Sequence, residues 1–426
     1  MGKYLNEYWL SEGSGRTRRE RQSGTYHPYL PDALSTQEFY FHSEVVAAVS
    51  TAESAIRDLN SAVEVLTNTE PLARLVLRAE ALASSRIEGL ELGAGRLLKE
   101  EALSSIKPSK QATPRDRAAA EVLNSIHMMD AALNHAVIEE SITIQTICSM
   151  HQRLLEDTSQ NQYAGRLRTE QNWTGGNSYS PIGADYVPPT PAAVPGLLED
   201  LVAYCNLQNV SPVIKAAIAH AQFETIHPFV DGNGRVGRAL IHLILRRSGI
   251  ASNTVPPISL VLSTMKQNYV SYLDATRYDG SIDSNQANDS RNEWVEFFAH
   301  VCQRACADAQ AFEHRIARLR AHWQSLVVPR KGSTVEALLG LLPGIPVITI
   351  NTAAAATGRS VEATRLAVEA LTDAGILTQS SSNRRNRVFE ALSVIDEFTA
   401  YERGLATLSG FTTVEKPVRR VPRRRG

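Results

Sequence analysis

The sequence predicts a mainly α-helical chain, interrupted by one small β-hairpin and followed by a winged helix-turn-helix. Three observations carry this reading. From Phe39 to about Ile106, and again from Arg115 to about Ala311, the composition is helical. Between Gly175 and Pro191, GGNSYSPIGADYVPPTP is too rich in Gly and Pro for a helix and fits a hairpin. After VVPRKGST the pattern changes again: PVITI is strand-like, two helices follow, and TQSSSNRRNRVFEA reads as two short strands around a basic tip.

Taken in order, these signals divide the chain into five segments. Residues 1–35 are polar and broken by Gly and Pro, and GRTRRERQSG within them is expected to be mobile. Residues 36–110 form an N-terminal helical region that ends before KPSKQATPRD. Residues 111–312 form a second helical domain, which includes AEVLNSIHMMDAALNH, SITIQTICSMHQRLLED and SPVIKAAIAHAQFETI. In the last of these, Ser211 is placed to be the N-cap and Pro212 the first helical residue. Residues 330–395 form the winged helix, and 396–426 a Pro-interrupted basic tail without fixed structure.

Composition narrows the functional classes. Hydrophobic residues make up 43% of 426, as in a soluble globular protein of two or three domains. Lys and Arg total 44 against 45 Asp and Glu. That balance hides six basic residues in the tail (Lys416, Arg419, Arg420, Arg423, Arg424 and Arg425), without which 38 basic residues face 45 acidic ones. Such a tail fits either a solubilising extension or weak contact with nucleic acid or an acidic partner. Cys148, Cys205, Cys302 and Cys306 lie in helical patterns without C-x-x-C spacing, so buried thiols are expected rather than a metal site. MGKYLNEYWLSEGSG has no apolar run of signal-peptide type, Asn6 breaks the myristoylation pattern, and no run reaches membrane-spanning length. The cytoplasm is the default expectation.

The chemistry concentrates in HPFVDGNGRVGR, residues 227 to 238. Its G-x-G-x-x-G spacing at Gly232, Gly234 and Gly237 invites a dinucleotide-binding reading, which requires a preceding strand and an acidic residue about 20 positions on. A helical stretch precedes the motif, and Ala239 to Ser263 contains no Asp or Glu, so that reading fails. What remains is a turn opening a second helix, RVGRALIHLILRRSG, with Gly249 as its stop. Free N–H groups at a helix start and glycines that permit close approach make an anion site. Arg235 and Arg238 share a face of the first turn and can fork onto phosphate oxygens. Asp231 beside them is repulsive to phosphate unless a cation such as Mg²⁺ lies between. His227 is placed to take a proton from an attacking hydroxyl, and Phe229 to anchor the loop in the core. Singly, these residues are ordinary turn chemistry; as one string they point to a phosphoryl or nucleotidyl site.

The string resembles the signature of the Fic family, H-x-F-x-[DE]-G-N-G-R-x-x-R, at every fixed position. The resemblance covers roughly residues 40 to 310 and implies a Fic-type helical domain with a small hairpin flap, transferring AMP from ATP to a hydroxyl of a target protein. On that resemblance His227 is the base and Asp231 holds Mg²⁺ on the α- and β-phosphates. The backbone of Gly232, Asn233 and Gly234, with the Asn233 side chain, cradles phosphates that Arg235 and Arg238 neutralise. Phe229 and, near the adenine, Tyr269 complete the nucleotide-binding set. The 175–191 hairpin, with Tyr186 and Val187, is the flap that registers a target segment by main-chain pairing.

A second motif, SSRIEGL, is similar to the family's inhibitory helix, [ST]-x-x-x-E-[GN]. Ser84 and Glu88 share a helix face and Gly89 can cap its end. The resemblance pairs Glu88 with Arg238, displacing the γ-phosphate of ATP. A homodimer stays open, because Glu88 could act on its own chain or on a neighbour's. For the C-terminal unit, DNA contact through Arg384, Arg385 and Arg387 and a protein-contact role both fit, since Glu362 and Glu369 stand beside Arg359 and Arg365 on its second helix. Two other functions remain: a nucleotide-sensing DNA-binding regulator, and a Fic enzyme moving UMP or phosphate or removing AMP.

Overall fold

Alternating aromatic residues give the N-terminal segment more order than its polar composition suggests. The computed structural model describes the chain except residues 1, 12, 14–16, 19, 66–69, 105–113, 139–140, 381–386 and 405–426. Strand β1 (Lys3–Tyr4) pairs antiparallel with β4 (Tyr29–Leu30), and β2 (Glu7–Trp9) with β3 (Gly24–Tyr26). Tyr4 packs on Tyr29 at 5.0 Å between ring centroids, and Trp9 meets Trp173 edge-on at 5.5 Å. The expectation of a mobile segment over 1–35 is therefore corrected for its described residues. Cross-strand aromatic pairs fix it.

The helical body comprises α1 (Ser43–Val65), α2 (Glu70–Ile87), α3 (Ala94–Ser104), α4 (Pro114–Ile138), α5 (Ile144–Leu155), α6 (Val194–Cys205), α7 (Pro212–Ile226), α8 (Asn233–Arg247), α9 (Ile258–Thr264), α10 (Lys266–Ala275) and α11 (Asn285–Leu326). Helices α7 and α8 are buried nearly all round and form the centre, with α4, α5, α6 and α2 packed about them. Helix α1 lies along α11, which continues past the boundary expected at 312. Ser211 does cap α7, its Oγ accepting from the Ile214 N–H at 3.3 Å. The expected hairpin at 175–191 shrinks to a single antiparallel bridge between Thr174 and Tyr186. Its Gly and Pro residues leave too few ladder positions for strands.

The C-terminal unit has the element order of a winged helix. Helix α12 (Thr334–Leu341) precedes β5 (Val347–Thr349), α13 (Ile350–Thr357) and α14 (Val361–Asp373), then β6 (Thr378–Gln379) and β7 (Val388–Glu390). The three strands form an antiparallel sheet in the order β5-β7-β6. Arg384 and Arg385 of the basic tip lie outside the described residues. On α14, Arg365 is tied to both Glu362 at 2.7 Å and Glu369 at 2.5 Å, so that face neutralises itself. Residues 396–404, expected in the tail, are helical, and the rest of the expected tail lies outside the described residues. Helix α15 (Leu392–Gly404) buries Phe398 and Tyr401, and Tyr401 stacks on Phe312 of α11 at 4.3 Å. Ile395, Phe398 and Tyr401 recur every three residues, enough to hold a helical face.

Helix α2 runs antiparallel to α8 along a polar seam. Glu80, wholly buried, accepts from His242 Nε2 at 2.7 Å and from the Ser259 N–H at 2.7 Å, and one turn on Ser84 meets Arg238. A buried carboxylate with several donors is costly to remove, because each donor is left unpaired. Glu80→Leu is expected to destabilise the fold by about 3 kcal/mol, read from the midpoint of urea unfolding. A midpoint equal to the parent's contradicts this.

Candidate functional site

The signature string turns between the two central helices. His227 caps the C-terminus of α7 in the left-handed region, with φ 49 and ψ 60. A non-glycine residue there is mildly strained and has to be held by its surroundings. Gly232, at φ 79, is the N-cap of α8. Pro228 and Phe229 dip into the core between them, and Phe229 is wholly buried, stacked on His151 at 3.8 Å. Phe229 is thus the anchor expected of it. It has no exposed face.

The anion position at the start of α8 is filled by the chain itself. A Cβ built on Gly234 would lie 2.1 Å from Glu88 Oε1 and 2.9 Å from Arg238 Nη1, so the Glu88 carboxylate rests directly over the first turn. Arg238 Nη2 donates to Glu88 Oε1 at 2.7 Å and to the Ser84 carbonyl at 2.8 Å, and its Nε donates to Ser84 Oγ at 2.9 Å. Only 1% of the Arg238 side chain is exposed. Glu88 stands just past α2, where Gly89 N–H bonds the Arg86 carbonyl and Leu90 N–H the Ser85 carbonyl, with Gly89 at φ 86. That pair of bonds is a Schellman ending, for which Gly89 supplies the left-handed residue. A carboxylate at a helix C-terminus is disfavoured by the dipole; here the guanidinium and the N-terminus of α8 compensate. Ser84, Glu88, Gly89, Gly234 and Arg238, far apart in sequence, meet within one chain.

Charge at the site follows from these contacts. Burial works to raise the Glu88 carboxyl, but Arg238, then Arg235 and His227, outweigh it and the net shift is downward. Burial depresses His227 most, with Arg168 and Arg277 adding to it against the Glu224 carbonyl and Glu88, down to about 4. The imidazole is therefore neutral near pH 7 and able to accept a proton. Arg235 reaches Glu121 of α4 at 3.5 Å and Asp231 at 3.8 Å. Asp231 is half exposed, with Oδ1 accepting from the Gly232 N–H at 2.6 Å. Among the described residues no group of three or more His, Cys, Asp or Glu could hold a metal alone.

Several of the expected site residues have partners within the chain. The Asn233 side chain accepts from the Phe229 N–H at 2.9 Å and donates to the Phe229 carbonyl at 2.9 Å. Those bonds use it as a brace across the loop. Tyr269 is buried with its hydroxyl 2.7 Å from His220 Nε2. The Val187 carbonyl accepts from the Tyr29 N–H at 2.9 Å, and the Tyr186 hydroxyl donates to the Thr225 carbonyl at 2.6 Å. The flap edge is thus already engaged by the chain at these points.

The loop is also held by residues that no motif singled out. His151 Nδ1 accepts from the Gly165 N–H at 3.0 Å, which leaves Nε2–H to donate to the Asp231 carbonyl at 3.0 Å. Arg168, Asn172 and Glu224 also border the loop, and burial raises the Glu224 carboxyl to about 7. None had a motif signal; His151, Arg168 and Asn172 act across a long sequence separation, and Glu224 acts from the helix just before the loop.

The Glu88 shift has a sign that can be read. A carboxyl held below its ordinary value adds stability above the unfolded-state value and loses it as pH falls through the folded one. The stability gap between the parent and Glu88→Gln should therefore be present at pH 7 and close on acidification, by urea midpoints across pH. A gap of equal size at pH 7 and pH 3 contradicts the ion pair.

Comparison with known proteins agrees with this geometry. Residues 141–245 match the Fic/DOC family model, and residues 46–134 match the Fic/DOC family N-terminal model. Protein adenylyltransferase fic-1 of Caenorhabditis elegans is 35% identical over 157 residues, which are 35% of this chain and 28% of that protein. Protein adenylyltransferase Fic of Drosophila melanogaster is 33% identical over 140 residues, 31% of this chain and 26% of the relative. The match thus spans less than a third of either relative's length. A Fic family protein from Desulfovibrio desulfuricans G20 has the same fold, with a TM-score of 0.52 at 22% identity, covering 83% of this chain and 98% of that one. With the Ser84–Gly89 motif inside one matched region and the whole signature loop inside the other, the chain carries a Fic/DOC domain preceded by a Fic/DOC family N-terminal domain.

Proposed function

We propose that this chain is an autoinhibited protein adenylyltransferase, which moves AMP from ATP to a Ser, Thr or Tyr hydroxyl of a protein, itself included. The observation that carries this is the Glu88 carboxylate seated over Gly234 and paired with Arg238. A chain that fills its own anion position with a tethered carboxylate has a site for a phosphate there. The names of the relatives, protein adenylyltransferases, supply the reaction class.

In the transfer, neutral His227 takes the proton of the target hydroxyl while its oxygen forms a bond to the α-phosphorus. The bond from that phosphorus to the bridging oxygen breaks, and pyrophosphate leaves with the electron pair. The N–H groups at the start of α8 face the charge that develops on the phosphate oxygens. Arg235 and Arg238 neutralise the outer phosphates once Glu88 moves away. Asp231 would hold Mg²⁺, which supplies charge neutralisation across the phosphates. No described helix is long and apolar enough to cross a membrane.

The C-terminal unit fits regulation by protein contact better than DNA reading. Arg86, on the face of α2 away from Arg238, pairs with Glu402 of α15, and Lys99 of α3 pairs with Glu390 at 3.0 Å. The unit thus grips the last turn of the inhibitory helix from behind. Glu402→Ala is expected to raise self-modification several-fold by loosening that turn. Activity equal to the parent's leaves the unit without a hold on the gate.

The direct test incubates the protein with labelled ATP, UTP or GTP and reads the mass added to itself or to lysate proteins. Glu88→Gly should raise AMP transfer at least tenfold, and adding His227→Ala should return it to background. His227→Ala alone should still bind ATP–Mg²⁺ by calorimetry. Undiminished transfer by His227→Ala sinks the base role, and label only from UTP changes the group moved. Loss of AMP from a modified protein would instead identify a removing enzyme.

A further inference from the structure

We propose that Arg168 is a positioning residue that locks the catalytic histidine to the root of the flap, so that the base and the flap loop keep one fixed relation. The proposal rests on the transferase reading and adds a residue to it. Arg168 is buried, yet among the described residues its guanidinium meets no carboxylate. It is satisfied by carbonyls alone. Nε donates to His227 at 2.9 Å, Nη2 to Ile226 at 3.4 Å and, by a shorter contact, to Pro189, and Nη1 to Glu170 at 3.3 Å. Ile226 and His227 end α7, where carbonyls lack helical donors and carry the negative end of the dipole. Pro189 closes the loop that carries Tyr186 and Val187. One planar group therefore spans the base and the docking loop, which a lysine ammonium on a single contact would not do.

The neighbours of Arg168 repeat the pattern. Its own N–H donates to the Pro228 carbonyl at 2.9 Å, Gln171 Nε2 donates to the Pro188 carbonyl at 3.0 Å, and Asn172 Nδ2 donates to the Phe229 carbonyl at 3.0 Å. The segment 168–172 is stitched to the flap root on one side and to the signature loop on the other. These bonds also explain how His227 holds its left-handed backbone, since its carbonyl is aimed at Arg168.

Arg168 acts on the imidazole as well as on its backbone. The groups facing His227 are Arg168, Arg277 beyond α10, the Glu224 carbonyl of α7 and Glu88 beyond α2. After burial, Arg168 is the strongest influence depressing the ring. Removing its charge should let the ring titrate higher; removing only its fork should not.

The experiment follows His227 in the full chain by histidine NMR, assigned with His227→Gln, beside transfer kinetics in the Glu88→Gly background. The parent ring should titrate at about 4, Arg168→Met should raise it by about one unit, and Arg168→Lys should leave it near the parent. Both variants should lower kcat tenfold or more while leaving KM for ATP within twofold. Arg168→Lys decides the matter if the methionine variant does not fold. An unmoved titration with unchanged kcat overturns the proposal, and so does a loss of kcat that only follows a lower melting temperature. If the titration moves as expected but the Glu88→Gly parent transfers no nucleotide, Arg168 keeps its role in placing His227 and the transferase reading fails.

Discussion

A guanidinium with 1% of its surface in water requires a partner, and Arg238 sets the architecture through that requirement. It sits one turn into α8, so its partner has to arrive at the start of that helix. Helix α2 brings Ser84 and Glu88 there, and the two helices lie antiparallel because Glu80 finds His242 one turn further along. The long-range pairing of α2 with α8 is thus determined by charge as much as by apolar packing. A triphosphate would satisfy the same guanidinium, so inhibitor and ligand are alternative solutions to one electrostatic problem.

The loop between α7 and α8 is held through its backbone. His151 grips the Asp231 carbonyl, Asn233 and Asn172 the Phe229 carbonyl, and Arg168 the His227 carbonyl. Fixing main-chain atoms holds the loop without drawing on the Asp231 Oδ2 oxygen for a hydrogen bond. Preorganisation of this kind is what electrostatic catalysis requires, because donors already in place cost no reorganisation at the moment of reaction.

The sequence made much of this legible, and for identifiable reasons. The string from His227 to Arg238 is contiguous, so its roles could be read side by side. Gly89, Gly249, Ser211 and Pro212 announced helix ends by local chemistry that needs no partner. The paired helices of the C-terminal unit showed in their periodicity. What stayed hidden depends on distant contacts. Arg168 reads as one more arginine until His227 is seen 59 positions away, and His151 until Asp231 is seen 80 positions on. The resemblance carried Asn233 and Tyr269 toward ligand, whereas the fold turns one onto the Phe229 backbone and the other onto His220. The N-terminal strands were missed because their aromatic partners are separated by the polar tip between them.

The three acidic and hydroxyl contacts of α2 differ in where they sit along the helix. Glu80 and Ser84 grip α8 within regular helix, while Glu88 follows the last turn, on the Schellman ending at Gly89. The upper two contacts forbid the helix to roll or slide as a body. Release of Glu88 therefore needs only a side-chain swing or the fraying of one terminal turn. Such motions run in nanoseconds to microseconds, whereas domain rearrangements take microseconds to milliseconds. On the proposed reading the gate is a local event at the end of α2, set by how often that one ion pair is open.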